Sequence, residues 1–263
     1  NFTLQFGSGE LPDAFDVTVS GEWDLNGVSD TIGGLFGSGT VLLGGGTLTV
    51  GGDDEDASFS GSIQEAGSVV KIGPGTQTLS GANSYVGSTQ ITEGGLEITN
   101  DASLGDPSST LSISDGVLIT NTTFTTGRTT TVASGAFETA AGTTLTFTSP
   151  IGGAGPMFKQ GTGTLELTQP NTFSNRAEVR AGTLRLVGAG QLADTANVDV
   201  DAGATLDVTD IVDTVGALGG AGNVLLGLGT LSIGATDADD TFSGVISGVD
   251  GAIVKLGTGP KKC

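Results

Sequence analysis

The stretch Phe59–Leu96 reads F-S-G-S-I-Q-E-A-G-S-V-V-K-I-G-P-G-T-Q-T-L-S-G-A-N-S-Y-V-G-S-T-Q-I-T-E-G-G-L, and the chain repeats it. Phe59, Ile63 and Lys71 return as Phe147, Ile151 and Lys159. Gly73 and Gly75 return as Gly161 and Gly163, Asn83 and Tyr85 as Asn171 and Phe173, and Leu96 as Leu184. A third copy starts at Phe242 and runs through Ile246, Lys255, Gly257 and Gly259. Internal repetition on this scale points to an array of stacked units, each burying its apolar face only against its neighbours.

Working outward, a second block repeats as well. Asp30-Thr31-Ile32-Gly33 pairs with Asp213-Thr214-Val215-Gly216, and Val41-Leu42-Leu43-Gly44 with Val224-Leu225-Leu226-Gly227. Gly46-Thr47-Leu48 pairs with Gly229-Thr230-Leu231, all at one offset and without a gap. Residues 117–146 keep the same texture with weaker identity, Thr143–Thr148 being the clearest strand there. Residues 1–22, with strands expected at Phe2–Phe6 and Phe15–Ser20, match nothing later in the chain. They read as a first coil or an N-terminal cap, since an array needs its open end covered. The organisation expected is one continuous elongated domain over residues 1–263, with repeat blocks at 24–114, 117–202 and 206–259. Pro260-Lys261-Lys262-Cys263 departs from the other copies and reads as a truncation or an added tail.

Within the blocks, runs of four to six residues alternate apolar with small polar side chains, as in Thr183-Leu184-Arg185-Leu186. That is the period of a strand with one face in a core. Glycine-rich turns separate the runs, and no 3.6-residue pattern competes with them. Many short strands also suit a sandwich or a propeller. The slightly unequal spacing of the copies suits a solenoid better, because a coil gains part of a turn without breaking closure. The fold expected is all-β, a right-handed parallel β-helix (β-solenoid). With coils of roughly 20–25 residues it would have about eleven to thirteen of them, stacked into a rod on the order of 55–60 Å long. Phe59, Phe147 and Phe242 are expected to anchor the stack, each worth roughly 1.5–3 kcal/mol when buried. Asn83 and Asn171 fit either a side-chain amide built into a β-helix turn or a plain surface turn.

Composition narrows function by exclusion. Twenty-nine acidic residues against 9 basic ones give a formal charge of −20. Nucleic acid needs Lys and Arg to displace counterions, and anionic lipid needs basic clusters, so neither is an expected partner. No apolar run reaches membrane-spanning length, so direct membrane insertion is not expected. Histidine is absent and the one cysteine is Cys263. Ser-His-Asp and Cys-His catalysis are therefore unavailable, as are disulfides and thiolate metal sites. No Gly-x-Gly extends to a nucleotide fingerprint. The chain begins at Asn1 without Met or a signal peptide, and reads as a mature piece or a fragment.

The lysine copies carry a family likeness. Lys71-x-Gly73-x-Gly75-Thr76, Thr78-Leu79-Ser80-Gly81-Ala82-Asn83-Ser84-Tyr85-x-Gly87-x-Thr89 and Ile91-x-x-Gly94-Gly95-Leu96 resemble the autotransporter-associated β-strand repeat. Lys159-x-Gly161-x-Gly163-Thr164-Leu165 through Asn171-Thr172-Phe173 and Ala181-Gly182-Thr183-Leu184 resembles it equally, and Ala202–Asp207 is similar to another passenger phrase. The resemblance covers nearly everything from residue 24 on. It implies the passenger of a type V secreted protein of a Gram-negative bacterium, at the cell surface or extracellular, exported through an outer-membrane β-barrel translocator of the parent protein. It further implies repeats that aid secretion and folding, and a stalk or adhesin role with host or bacterial surface ligands. End-to-end self-association is expected where a last coil is uncovered.

Two other readings stay open at this level. Parallel β-helices include polysaccharide lyases and hydrolases, but Arg128, Arg176, Arg180 and Arg185 show no association in sequence with an acidic cluster. Asp53-Asp54-Glu55-Asp56 and the counterpart Asp237, Asp239 and Asp240 could hold Ca²⁺ through oxygen ligands; solvated surface is the commoner fate of charge runs. Asp199, Asp201 and Asp207 are expected to project as a solvated row. Lys71, Lys159 and Lys255 are expected to face solvent and keep sheets from pairing edge to edge. No cofactor, metal or catalytic residue is expected.

Overall fold

In the computed structural model the described strands are parallel and stack coil on coil as a β-solenoid within each of two units. Residues 3–5, 11–236, 238 and 240–257 are described. They divide into two compact units, Asn1–Asn121 and Thr122–Cys263.

In the first unit the strands fall into three columns, and every pairing is parallel. One column runs Val17–Val19, Leu35–Gly37, Ala57–Phe59, Thr76–Leu79, Gly95–Ile98 and Val117–Thr120. A second runs Asp30–Ile32, Thr47–Val50, Ser68–Lys71, Thr89–Ile91 and Leu111–Ile113. The third, Thr3–Gln5 to Glu22–Asp24, Thr40–Leu42 and Ser62–Gln64, stops after Ser62–Gln64. The repeat then crosses that corner without a strand. The expected strands near both ends of the first 22 residues are seen at Thr3–Gln5 and Val17–Val19.

The second unit is built alike. Its longest sheet steps through Phe124–Thr126, Thr144–Phe147, Thr164–Leu167, Thr183–Leu186, Thr205–Asp207, Asn223–Leu225 and Val245–Ser247. A second column holds Gly135–Thr139, Met157–Gln160, Arg176–Val179, Asn197–Val200 and Ala217–Gly220. A third takes over near the end, with Val212–Val215, Thr230–Ile233 and Ala252–Lys255.

Alternation along each strand sorts side chains as period-two geometry requires. Leu48, Leu96, Leu118, Leu145, Leu165 and Leu184 point inward and are buried. Like residues stack on like because neighbouring coils pair in register. Phe59, Phe147 and Phe242 are all core residues, and Phe147 meets Phe137 edge to face with ring centroids 5.2 Å apart. Trp23 and Tyr85 are also buried, which removes them as surface platforms for a ligand.

Candidate functional site

The recurring lysine turn is the most specific polar constellation in the chain, and its geometry overturns the solvent-facing expectation for Lys71 and Lys159. Both are fully buried, at 0 % exposure. In Ser68–Lys71 the burial alternates so that Lys71 shares the inward face with Val69, and in Met157–Gln160 Lys159 shares it with Met157. The aliphatic stem therefore lies in the core, while the ammonium bends out to the adjoining turn.

There it is caged by carbonyls. Lys159 Nζ donates to Gln160 O at 2.6 Å, Gly161 O at 2.8 Å and Ala181 O at 3.2 Å. Lys71 Nζ donates to Ile72 O, to Gly73 O at 2.7 Å and to Glu93 O at 3.5 Å. Two acceptors belong to the lysine's own turn and the third to the coil that follows. Lys255 repeats the first half only: among the described residues it reaches Leu256 O at 3.0 Å and Gly257 O at 2.8 Å, and it is exposed as expected.

The glycines of the motif make the cage. Gly73 and Gly161 sit at φ +68° and +67°, in the left-handed region that costs a side-chain-bearing residue energy. A Cβ on either would fall 2.2–2.3 Å from a carbonyl oxygen of the preceding coil, Gly51 O or Thr139 O. Only glycine turns the carbonyls toward the ammonium at that separation.

Burial lowers the pKa of both amines. Lys159 falls from 10.5 to about 8 through desolvation, partly offset by Glu138. Lys71 is lowered for the same reason, opposed by Glu93, Asp54, Asp56 and Asp53. This gives the acidic turn a structural role: its carboxylates surround the first lysine cage, and Asp56 Oδ1 also accepts the Thr76 amide at 2.7 Å. Among the described residues no three metal-ligating side chains gather closely enough to hold an ion. Asp237 and Asp239 lie outside the described residues.

Where the third column of the first unit stops, asparagine continues the ladder. Asn83 is buried; its Oδ1 accepts the Ile63 amide at 2.8 Å and its Nδ2 donates to Ser103 O at 2.6 Å. Asn171 does the same between Ile151 N, at 2.9 Å, and Gln191 O, at 2.8 Å. A side-chain amide has the donor and acceptor of a peptide group, so it bridges the coil before and the coil after. Of the two readings left open by sequence, the built-in turn amide is the one found.

Sequence reasoning missed the matching carboxylates of the other block. Asp213 is buried and its Oδ2 accepts the Leu192 amide from one coil back at 3.1 Å. Its repeat partner Asp30 accepts the Leu11 amide at 3.1 Å. Burial leads the causes that push the Asp213 carboxyl up to about 6, opposed by the Leu192 and Thr214 amides. The signal was available in parity, since each aspartate alternates in step with Ile32 or Val215.

The expected solvated row is also corrected. Asp199 pairs with Arg176 at 2.8 Å, and Asp207 is buried beneath Arg185 at 2.9 Å; Asp201 alone of the three is exposed. Arg180 pairs with Glu178 at 2.8 Å and lies over the Phe158 ring, 3.9 Å from its centroid. Arg128 is buried. Those acidic partners lie on neighbouring coils or two residues away, an association that appears only once the register is known.

The comparisons agree with this architecture. Residues 69–98 and 157–186 match the Passenger-associated-transport-repeat family, so each match holds one complete lysine cage. Over 260 residues, 91% of this chain, the sequence is 37% identical to a protein of Brucella suis biovar 1 (strain 1330) described as "Adhesin BmaC autotransporter". The chain spans 8% of that relative's length. No solved structure matches. With the repeat in two copies, a cage in each, and 37% identity to an autotransporter over 91% of this chain, the chain is similar to the repeat-bearing passengers of autotransporters.

Proposed function

We propose that this chain is a non-enzymatic passenger scaffold, a β-helical stalk or adhesin body displayed at or released from the surface of a Gram-negative bacterium. The observation that carries this reading is where the repeated polar residues go. Lys71, Lys159, Asn83 and Asn171 spend their hydrogen bonds holding coil to coil, and none of the four opens to solvent. The repeat thus builds length and leaves binding to positions where the copies differ. The relative's description as an adhesin supports the same role.

The cages also suit export-coupled folding. Each lysine gains its third acceptor, Glu93 O or Ala181 O, only from a neighbouring coil already in place. Ordering one coil therefore lowers the cost of ordering the next, as nearest-neighbour coupling in a repeat array requires. The partners in this reading are an outer-membrane β-barrel translocator in the parent protein and ligands on host or bacterial surfaces, with end-to-end association of copies as a side reaction. The test is adhesion of the purified chain to host cells, extracellular matrix and bacteria, run beside depolymerisation assays on pectin and alginate. Adhesion without depolymerisation is expected. Chain cleavage of either polysaccharide would overturn the non-enzymatic reading, and adhesion to none of the surfaces would reduce the role to a spacer.

A further inference from the structure

One outward face of the second unit has a pattern that holding the coils together does not use. On the sheet through Thr144–Phe147, Thr164–Leu167, Thr183–Leu186 and Thr205–Asp207, two rows run across the strands. Thr144, Thr164, Thr183 and Thr205 stand in register, one per coil. Beside them stand Thr146, Glu166, Arg185 and Asp207, also in register. Successive members of a row are about 4.8 Å apart, the spacing of paired strands.

The second row is preorganised. Glu166 accepts from Thr146 at 3.3 Å, and Arg185 lies between Glu166 at 3.8 Å and Asp207 at 2.9 Å. Asp207 also accepts the Thr209 amide at 3.1 Å. The Arg185 side chain remains half exposed, so its guanidinium keeps donors for a ligand.

A groove follows the ends of these strands. Its first part, about 400 Å³, is lined by Glu166, Arg185, Asp207, Val187 and Asp210. It continues past Gly188 and Ile211 into a second part of about 310 Å³ bordered by Gln191 and Val212. Val187 and Val212 give the rim apolar surface, and a Cβ on Gly188 would meet nothing within 4 Å, so the passage is open there.

We propose that this groove and the two polar rows bind a neutral, linear glycan lying across the strands, one sugar ring per coil. Three features select that class. Sugar hydroxyls need donors and acceptors together, and the face supplies hydroxyls, a guanidinium and carboxylates in alternation. A cationic peptide needs acceptors alone, and two of the groove's carboxylates already hold Arg185. An acidic polymer meets a chain of formal charge −20. The carboxylate–guanidinium–carboxylate row sets charged donors and acceptors side by side for adjacent hydroxyls, while the valine rim covers the C–H face of a ring. The inference gives the adhesin reading a ligand class and rests on that reading only for its biological setting.

The test is calorimetric titration of the whole chain with cello-oligosaccharides and mannan-derived oligosaccharides from two to six units, beside an alginate hexamer and hexalysine. Affinity for at least one neutral series should rise with length to about four units, the reach of the threonine row. Arg185→Ala should weaken binding about tenfold or more, the loss of one charge-assisted hydrogen bond. Thr183→Val, isosteric and uncharged, should weaken it several-fold, and Thr49→Val on the first unit should change nothing. Melting curves confirm that each variant is folded. No binding of either neutral series, binding indifferent to both Arg185→Ala and Thr183→Val, or tighter binding of hexalysine or the alginate hexamer at this face would each overturn the proposal. Cell adhesion retained by Arg185→Ala would sink the glycan site and leave the adhesin reading standing; glycan binding without adhesion would do the reverse.

Discussion

Replacing Lys159 by methionine isolates the cage, because the stem keeps its length and apolar packing while the ammonium is lost. Three half-buried carbonyls, Gln160 O, Gly161 O and Ala181 O, then lose their donor. At about 2 kcal/mol for each stranded acceptor, the gross loss is about 6 kcal/mol. Against this, the fold disfavours the charged amine, whose pKa drops from 10.5 to about 8; at 1.36 kcal/mol per unit that penalty is about 3 kcal/mol, and methionine escapes it. The net expectation is a destabilisation of about 3 kcal/mol at pH 7, or a Tm lower by about 6–10 °C for a chain of this size. Lys255→Met is the internal control. It carries the same motif, but its amine is exposed and among the described residues bonds only its own turn, so its melting point should match the wild type. Circular dichroism melts of the two variants, checked by urea midpoints, decide the matter. A Lys159→Met protein as stable as the wild type, or equal losses from both variants, would refute the cage as a coil-to-coil clamp.

Three further outcomes follow from the same geometry. Asn171→Ala strands the Ile151 amide and Gln191 O, so it should cost about 1–3 kcal/mol and speed hydrogen exchange at Ile151 before the rest of its coil. Gly161→Ala forces a Cβ to 2.3 Å from Thr139 O at positive φ and should destabilise by more than the 1–2 kcal/mol of the backbone strain alone, read by urea denaturation. Asp213 titrates at about 6 when folded and 3.8 when not, so between those values the native state holds the extra proton and stability falls as pH rises. Asp213→Asn should flatten that fall, about 3 kcal/mol in full, and leave the protein more stable than the wild type at pH 7.

The fold was legible because its signals are redundant. Alternation, positive-φ glycines and the stacked phenylalanines all repeat in step, and each alone gives the strands and their inward faces. Lysine was misread because its charge was weighed above its parity. Lys71 alternates with Val69 and Lys159 with Met157, so the pattern already pointed inward; a long stem reaching a ring of turn carbonyls reconciles the two. The aspartates at 30 and 213 carried the same parity signal. The arginine pairs were hidden for another reason. Glu166, Arg185 and Asp207 become neighbours only when the coils are set in register, and coil lengths vary enough that sequence leaves the register open. The glycan groove was out of reach on the same ground, since its walls come from successive coils.

The central claim is that consecutive repeats stack as parallel coils in fixed register, and nitroxide pairs test it most directly. With Cys263 replaced by serine, labels at Gln90 and Ser112 occupy paired positions on adjacent coils, while labels at Gln90 and Thr49 lie two coils apart through Val70. The backbone separations are then about 5 Å and about 10 Å. Strong dipolar broadening for the first pair, clearly weaker for the second, is the predicted result. Narrow spectra for both pairs, or the stronger broadening from Gln90 with Thr49, would contradict the stacked register and the cages that depend on it.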